Sequence, residues 1–171
     1  MRAGTDSASP STILGVISDT HGLLDPRVLP LFAGVDGIVH AGDIGSSAVL
    51  EGLRALAPVT AVRGNVDRDG WAWDLSAYEE VEAGGRRLLV GHICEQLLRD
   101  HDPAAEGYAA VIVGHSHAPE IAWREGVLYF NPGSAGRRRF HLPRAVGLLE
   151  ITAGVLRPRI VVLEEGAAPR S

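Results

Sequence analysis

The sequence predicts an α/β fold in which mixed β-sheets are covered by helices on their outer sides. Short apolar runs, rich in β-branched residues and bounded by glycine, recur along the chain. Helix-like segments separate the early runs, whereas two-residue turns join the later ones. The first half therefore has the rhythm of parallel βαβ units, and the second half is more antiparallel.

Six apolar runs are predicted as buried strands because of their length and β-branched content. They are Ile13–Ile17, Gly37–Val39, Val59–Val62, Leu88–Val90, Val111–Val113 and Val127–Phe130. Helices are predicted at Pro26–Phe32 and Ser46–Leu56, the second because it begins with a serine that suits a helix cap and has one apolar face.

Two antiparallel hairpins are predicted in the second half of the chain. They join Tyr78–Glu82 to Arg86–Val90 and Ala145–Ile151 to Arg157–Leu163. The intervening Gly84–Gly85 and Ala153–Gly154 suit tight turns. We expect one domain over residues 12–165, with a disordered lead-in at 1–11 and a frayed tail at 166–171.

The composition excludes several classes of protein. All 16 basic residues are arginine, and without lysine there is no Walker A loop, protein-kinase core or Schiff-base mechanism. The net charge of -5 argues against a long nucleic acid as partner. Cys94 is the single cysteine, which excludes an internal disulfide and a thiolate zinc site. With no signal peptide or membrane span, we expect a cytoplasmic protein that has no membrane partner.

The chemically informative residues follow the carboxyl ends of five predicted strands. They stand in the segments Asp19–His21, Gly42–Asp43, Gly64–Asn65, Gly91–His92 and Gly114–His117. Ligands of open α/β sheets bind at this edge, so we expect two aspartates, one asparagine and four histidines to meet in one crevice. The glycines that precede four of these clusters permit a close approach of the groups.

These seven side chains are too many for one tetrahedral zinc, but they suit two cations that share a carboxylate. Two divalent ions roughly 3.5 to 4 Å apart form the general clamp for displacement at phosphorus, with a bridging hydroxide as nucleophile. Two carboxylates and a hydroxide leave about one positive charge on such a pair, which favours a phosphodiester monoanion over a neutral amide.

The order of the motifs, DxH, GD, GN, H and GHxH, resembles the signature of the calcineurin-like metallophosphoesterases. The short length and the segment Phe130–Gly136, FNPGSAG, make the chain similar to the small bacterial and archaeal phosphodiesterases of that superfamily, relatives of the retromer scaffold subunit. The resemblance covers about Ile13 to Val162. It implies a four-layer αββα sandwich of two mixed sheets flanked by helices, with both metals at one edge of the inner sheets.

The resemblance also implies the ligand sets and the reaction. One metal would be held by Asp19, His21, Asp43 and His117, and the other by Asp43, Asn65, His92 and His115. Asp43 would bridge the two ions, and catalytic roles fall to Asp43 and Asn65. The expected reaction is hydrolysis of a small phosphodiester by in-line attack of a hydroxide bridging the ions. Manganese is the expected metal, with nickel, iron and zinc as alternatives.

One position departs from the pattern of many larger relatives. Those proteins have a histidine after the GN motif that is taken to protonate the leaving oxygen, whereas this chain has Val66. Valine carries no proton, so we expect slow hydrolysis of esters with alkoxide-like leaving groups. The identity of any general acid stays open, and the small subgroup commonly lacks the histidine too.

Three further residues are predicted near the site. His40 either makes a supporting hydrogen bond or is a plain buried histidine. Asp67 is expected to hydrogen-bond around the turn at Asn65. Arg137, the first of three consecutive arginines, either clamps a substrate phosphate or belongs to a solvated face.

Two rival functions are each suggested by part of the sequence. GHSHA at Gly114–Ala118 is close to the GxSxG elbow of serine hydrolases, but Pro119 and the residues after it offer no helix. The second rival is a non-enzymatic, protein-binding scaffold on the same fold, as in the retromer subunit, whose metal centre is degraded. Coordinating residues at all seven positions favour the enzyme. The oligomeric state stays open, although related small enzymes often form homo-oligomers.

Overall fold

Two five-stranded sheets packed face to face form the centre of the computed structural model, which describes residues 9–139 and 141–163. The strands are β1 (Ser11–Ile17), β2 (Gly37–His40), β3 (Val59–Ala61), β4 (Tyr78–Ala83), β5 (Arg86–Gly91), β6 (Ala110–Ile112), β7 (Glu120–Arg124), β8 (Val127–Asn131), β9 (Ala145–Thr152) and β10 (Val155–Val162). The helices are α1 (Val28–Phe32), α2 (Ser47–Arg54) and α3 (Cys94–Asp100), with a 3₁₀ turn at Gly70–Ala72. No helix in these ranges is long and apolar enough to cross a bilayer.

The first sheet has the strand order β10-β9-β1-β2-β3. β1, β2 and β3 are parallel, whereas β9 and β10 run antiparallel to their neighbours. The crossover helices α1 and α2 cover its outer face, where Phe32 and Leu53 pack in one buried cluster with Ile17 and Ile38. The predicted cap of α2 is present, because Ser46 Oγ accepts a hydrogen bond from the backbone N–H of residue 48.

The second sheet has the order β4-β5-β6-β8-β7. β5, β6 and β8 are parallel, and the outer strands β4 and β7 are antiparallel to them. Helix α3 covers the outer face of this sheet through Leu97, which is fully buried in a cluster with Leu89, Val111 and Tyr129.

A single apolar layer joins the two sheets. Val16 and Val39 from the first sheet pack in one cluster with Leu88, Ile112 and Phe130 from the second. Helices, two sheets and a further helix therefore form four layers, and the predicted αββα sandwich is confirmed.

Both predicted hairpins are present. The turn residues Gly84 and Gly85 have φ of 56° and 74°, and Ala153 and Gly154 have φ of 50° and 75°, as primed two-residue turns require. No sequence pattern predicts an element at residues 94–100 and 120–124, which form α3 and β7. Ser11 belongs to β1, and the rest of the predicted lead-in, apart from residues 9 and 10, lies outside the described residues, as does the tail at 166–171.

Candidate metal centre

Five parallel strands end at the same edge of the sandwich, and the polar segments follow them directly. β1, β2 and β3 of the first sheet lead to Asp19, Asp43 and Asn65. β5 and β6 of the second sheet lead to His92 and His115. The crevice predicted from the order of the motifs therefore lies where the two sheets meet.

One group of ligand atoms is formed by Asp19, His21 and His117. His117 Nε2 lies 3.2 Å from Asp19 Oδ1, and His21 Nε2 lies 3.9 Å from the same oxygen. The two imidazole nitrogens are 3.5 Å apart. Two nitrogens that converge on one carboxylate oxygen form a donor set that suits a divalent cation.

A second group contains Asp43, His92 and Asn65. His92 Nδ1 donates to the carbonyl oxygen of Ala41 at 2.7 Å, so its Nε2 turns toward the crevice and lies 3.3 Å from Asp43 Oδ2. With its amide oxygen toward the crevice, as a metal ligand requires, Asn65 Oδ1 lies 2.9 Å from His92 Nε2. With the amide reversed, its nitrogen donates to Asp43 Oδ1 and Oδ2 at 3.1 and 3.2 Å.

Asp43 lies between the two groups. Its Oδ2 is 3.3 Å from His92 Nε2 and 3.9 Å from His21 Nε2, while its Oδ1 accepts a hydrogen bond from the backbone N–H of Val66 at 3.1 Å. Its carboxylate thus lies close to imidazoles of both groups.

His115 lies at the mouth of the crevice. Its ring is exposed and stands edge-on to His92, with the ring centroids 5.3 Å apart. Its backbone N–H donates to Asp19 Oδ2 at 3.1 Å. The backbone of His115 thus orients one predicted ligand while its imidazole lines the cavity.

The carboxylate of Asp19 tests whether these residues suit a metal. Asp19 is fully buried, and its Oδ2 accepts hydrogen bonds from Ser18 Oγ and the His115 N–H. Its Oδ1 has no well-oriented hydrogen-bond donor among the described residues. Such a buried, unsatisfied anionic oxygen is costly, and a cation held between it and the imidazoles of His21 and His117 would remove the cost. The donor set therefore fits divalent metal ions.

The ionisation states of Asp19, Asp43 and His21 also suit metal binding, whereas that of His92 opposes it. Burial opposes the charge on Asp19 and Asp43, but the Ser18 hydroxyl and the nearby imidazoles of His117 and His92 outweigh it, so the pKa of each carboxyl lies below its ordinary value. Burial lowers the pKa of His21, which favours its neutral, coordinating form. Burial acts in the same direction on His92, but the hydrogen bond to Asp43 outweighs it and raises the pKa of His92, so a cation would compete with a proton there.

The backbone is strained at these residues. Five predicted ligands have left-handed φ values between 47° and 69°: Asp19, His21, Asp43, His115 and His117. The other non-glycine residues with positive φ in the described ranges, Glu125 and Ala153, are turn residues of hairpins. Each such conformation costs on the order of 1 kcal/mol for a side chain of this kind, and its concentration at one edge indicates that the fold is built around the cluster.

His40 supports the cluster without belonging to it. Its Nδ1 accepts the Gly42 N–H at 3.2 Å, so its Nε2 carries the hydrogen and donates to Thr20 Oγ1 at 2.9 Å. Thr20 in turn donates to the carbonyl oxygen of Ile44. Complete burial lowers the pKa of His40 to about 4, so the ring is neutral near pH 7. His40 thereby holds Thr20, the residue between Asp19 and His21, in place.

Asp67 joins two of the loops that carry ligands. Its Oδ2 accepts the backbone N–H groups of Gly64 and Ile44 at 2.9 and 3.1 Å, and its Oδ1 accepts that of Gly45 at 2.9 Å. The expected hydrogen bond around the turn at Asn65 is thus part of a wider bridge between the loops after β2 and β3.

The FNPGSAG segment is a clamp on two further loops. Ser134 Oγ donates to the carbonyl oxygen of Asp19, and Asn131 Nδ2 donates to that of Gly114. The segment thereby holds the left-handed backbones of the first and last motifs against each other. The motif itself carries no sequence signal for this role.

The cavity beside the cluster has a volume of about 280 Å³, and one of the arginines lines it. That residue is Arg139, whose charge contributes to the lowered pKa of His21. Arg137, the arginine predicted from sequence, is exposed and is not among the lining residues. Because the three arginines are adjacent, the sequence gives no indication of which one faces the cavity.

The chain is similar to a known family of phosphoesterases. A model of the calcineurin-like phosphoesterase superfamily domain matches residues 13–154. A probable metallophosphoesterase of Methanothermobacter thermautotrophicus is 36% identical over 132 residues, 71% of this chain and 76% of its own length. The phosphodiesterase YfcE of Escherichia coli is 30% identical over 158 residues, 78% of this chain and 84% of its own.

The fold is also similar to that of a protein with a different name. The structure of vacuolar protein sorting 29 from Cryptosporidium parvum superposes with a TM-score of 0.71, covering 91% of this chain and 99% of its own. It is 16% identical, so the likeness concerns the fold alone.

We predict that Gly64→Ala destabilises the centre. An added Cβ would overlap the backbone nitrogen and Oδ1 of Asp43, so the loop must move, at a cost of about 1–3 kcal/mol. Gly70→Ala is the matched control, because nothing lies within 4 Å of its added Cβ. Urea unfolding of both variants measures the difference, and equal midpoints would contradict the prediction.

We predict that Asp67→Asn lowers stability by about 1–3 kcal/mol, because the amide nitrogen faces backbone donors that the carboxylate now satisfies. The exposed Asp69, whose side chain makes no cap, provides the control Asp69→Asn. Thermal and urea unfolding compare the two. A loss of the same size in both variants would show that the three hydrogen bonds contribute little.

Proposed function

The chain belongs to the calcineurin-like phosphoesterase superfamily, and from this membership we propose that it is a binuclear metal-dependent phosphodiesterase. The observation that carries the proposal is the position of Asp43, whose carboxylate lies within 4 Å of imidazoles from both ligand groups. We propose Mn²⁺ at both positions, as the resemblance to the small phosphodiesterases implies; the carboxylate, amide and imidazole donors suit Ni²⁺, Fe²⁺ or Zn²⁺ as well.

Two bound cations would supply Lewis-acid stabilisation of the phosphoryl oxygens and a water of lowered pKa. Asp19, His21 and His117 would hold one ion, and Asn65, His92 and His115 the other, with Asp43 shared. The left-handed loops and the hydrogen bonds of Asp67 and His40 keep these groups in position before substrate arrives.

Charge favours a phosphodiester as the substrate. The site has two buried carboxylates, and their charge partly cancels that of two divalent ions, which leaves a centre suited to a singly charged ester. Arg139, on the wall of the cavity, would contact a phosphoryl oxygen and orient the ester. YfcE, a relative at 30% identity, is itself named a phosphodiesterase.

Val66 restricts the leaving group. It follows Asn65, lines the cavity and is exposed, yet it has no proton to donate. Substrates whose leaving oxygen is stable as an anion, such as aryl phosphodiesters, should therefore react fastest. A non-enzymatic, protein-binding scaffold on this fold is the second candidate. The hydrolysis assay described below distinguishes it from an enzyme.

Asp43→Asn should reduce Mn²⁺-stimulated hydrolysis of bis(p-nitrophenyl) phosphate by more than about 100-fold, because it removes the shared charge. Metal content and the hydrolysis rate are measured for the parent and the variant. The exposed Asp74→Asn is the control and should keep the parental rate.

Two outcomes would count against this mechanism. An unchanged rate in Asp43→Asn would exclude Asp43 as the shared ligand. A parent protein that binds Mn²⁺ with no hydrolysis of aryl or alkyl phosphodiesters would instead favour the scaffold.

Arg139→Ala should raise the KM for the same ester about tenfold, because a charge-assisted hydrogen bond to the phosphate is lost. The comparison is Arg137→Ala, which removes the same charge two residues away and outside the cavity. Steady-state kinetics give KM and kcat for each variant. A larger effect at position 137 would favour the sequence-based choice.

A further inference from the structure

The four edge strands of the two sheets differ in how they are protected. β3 has three residues, β4 carries three glutamates, and β10 carries Pro158 between two arginines. Short length, charge and proline each discourage pairing with another chain. β7 has neither short length nor proline, and it exposes two large apolar side chains next to each other on one face, Ile121 at 43% and Trp123 at 55%. β10 also exposes Val155 and Val162, but they lie at its two ends with the proline and arginines between them.

The unpaired backbone groups of β7 can be identified from its neighbours. In β8, Leu128 and Phe130 bond toward the strand on the other side, because the Leu128 N–H donates to residue 109 and the Phe130 carbonyl accepts from residue 113. Tyr129 therefore faces β7, where it pairs with Ala122. Since hydrogen-bonded pairs alternate along an antiparallel ladder, the N–H and C=O groups of Ile121 and Trp123 point away from β8.

The sequence of β7, Glu-Ile-Ala-Trp-Arg, is complementary to itself when reversed. In an antiparallel pair centred on Ala122, Glu120 lies opposite Arg124 of the second copy, and Arg124 lies opposite its Glu120. Ile121 of each copy likewise lies opposite Trp123 of the other copy. These two residues bear the outward backbone groups, so all of them are satisfied in the same register.

We propose that β7 pairs with β7 of a second copy of this chain, antiparallel and about a two-fold axis through Ala122. The two second sheets become one continuous sheet of ten strands. Trp123 packs on Ile121 of the second copy on one face, and two Glu120–Arg124 pairs close the other face.

Glu120 and Arg124 already form an exposed ion pair within one chain, and each can pair with its counterpart in the second copy instead. Glu120 and Arg124 lie on the same face of β7, where Arg124 Nη2 is 3.7 Å from Glu120 Oε1 and both side chains are more than half exposed. Arg124 also lies over the ring of Tyr129, 4.6 Å from its centroid. An exposed pair within one chain contributes little, so exchanging it across the axis loses little.

A five-residue strand buries a modest area, so the dimer is expected to be reversible and concentration-dependent. Sedimentation velocity of the full chain over a range of concentrations measures it. Glu120→Arg places arginine opposite arginine twice and should weaken the dimer about tenfold or more. Glu51→Arg on the exposed side of α2 makes the same charge change elsewhere and should leave association unchanged.

Mixing two variants tests the register. Arg124→Glu alone should also be monomeric at concentrations where the parent dimerises. An equimolar mixture of the Glu120→Arg and Arg124→Glu proteins restores both opposite-charge contacts and should form a heterodimer. The double variant Glu120→Arg/Arg124→Glu should dimerise like the parent, which also shows that the substitutions leave the fold intact.

Each result of these experiments either supports or overturns the proposed dimer. A parent that stays monomeric over the whole concentration range would overturn the proposal. So would association that Glu120→Arg leaves unchanged, or a mixture of the two single variants that fails to associate. Circular dichroism of each variant confirms folding, so loss of association is not read from an unfolded chain.

Discussion

Two buried carboxylates held close together are the constraint around which this structure is organised. Ligand atoms of Asp19, Asp43 and His92 all lie within 4.8 Å of one another, although like charges at this separation repel strongly away from water. Imidazoles and backbone N–H groups compensate part of that charge, and the pKa of each carboxyl lies below its ordinary value. The Oδ1 of Asp19 has no hydrogen-bond partner among the described residues, so its negative charge is the part that a bound cation would neutralise.

The surrounding shell holds a conformation that these loops would not adopt alone. Left-handed residues at Asp19, Asp43 and His115 are costly, and each is tied by hydrogen bonds to a neighbouring loop. Asp67 joins two of the loops, His40 acts through Thr20, and the FNPGSAG segment joins the first motif to the last. The strain at the predicted ligands is therefore offset by hydrogen bonds from residues outside the predicted ligand set.

Much of the fold was predictable because its signals are local. The β-branched runs mark the buried parallel strands, Ser46 marks the start of α2, and Gly84–Gly85 marks a tight turn. Helix α3 has seven residues and no side-chain cap, so it lacks a start signal. β7 has exposed residues on both of its faces, so it lacks the pattern of apolar residues that identifies a buried strand.

The sequence by itself determined which groups meet and in what order, because consecutive parallel strands must end at one edge and the polar residues stand directly after them. Only the tertiary structure decided their conformations and their surroundings. The left-handed backbone of Asp43, the unsatisfied oxygen of Asp19 and the choice of Arg139 over Arg137 at the cavity depend on contacts between distant segments. The open edge of β7 is a property of the same kind, since a strand is left unpaired only by the arrangement of its neighbours.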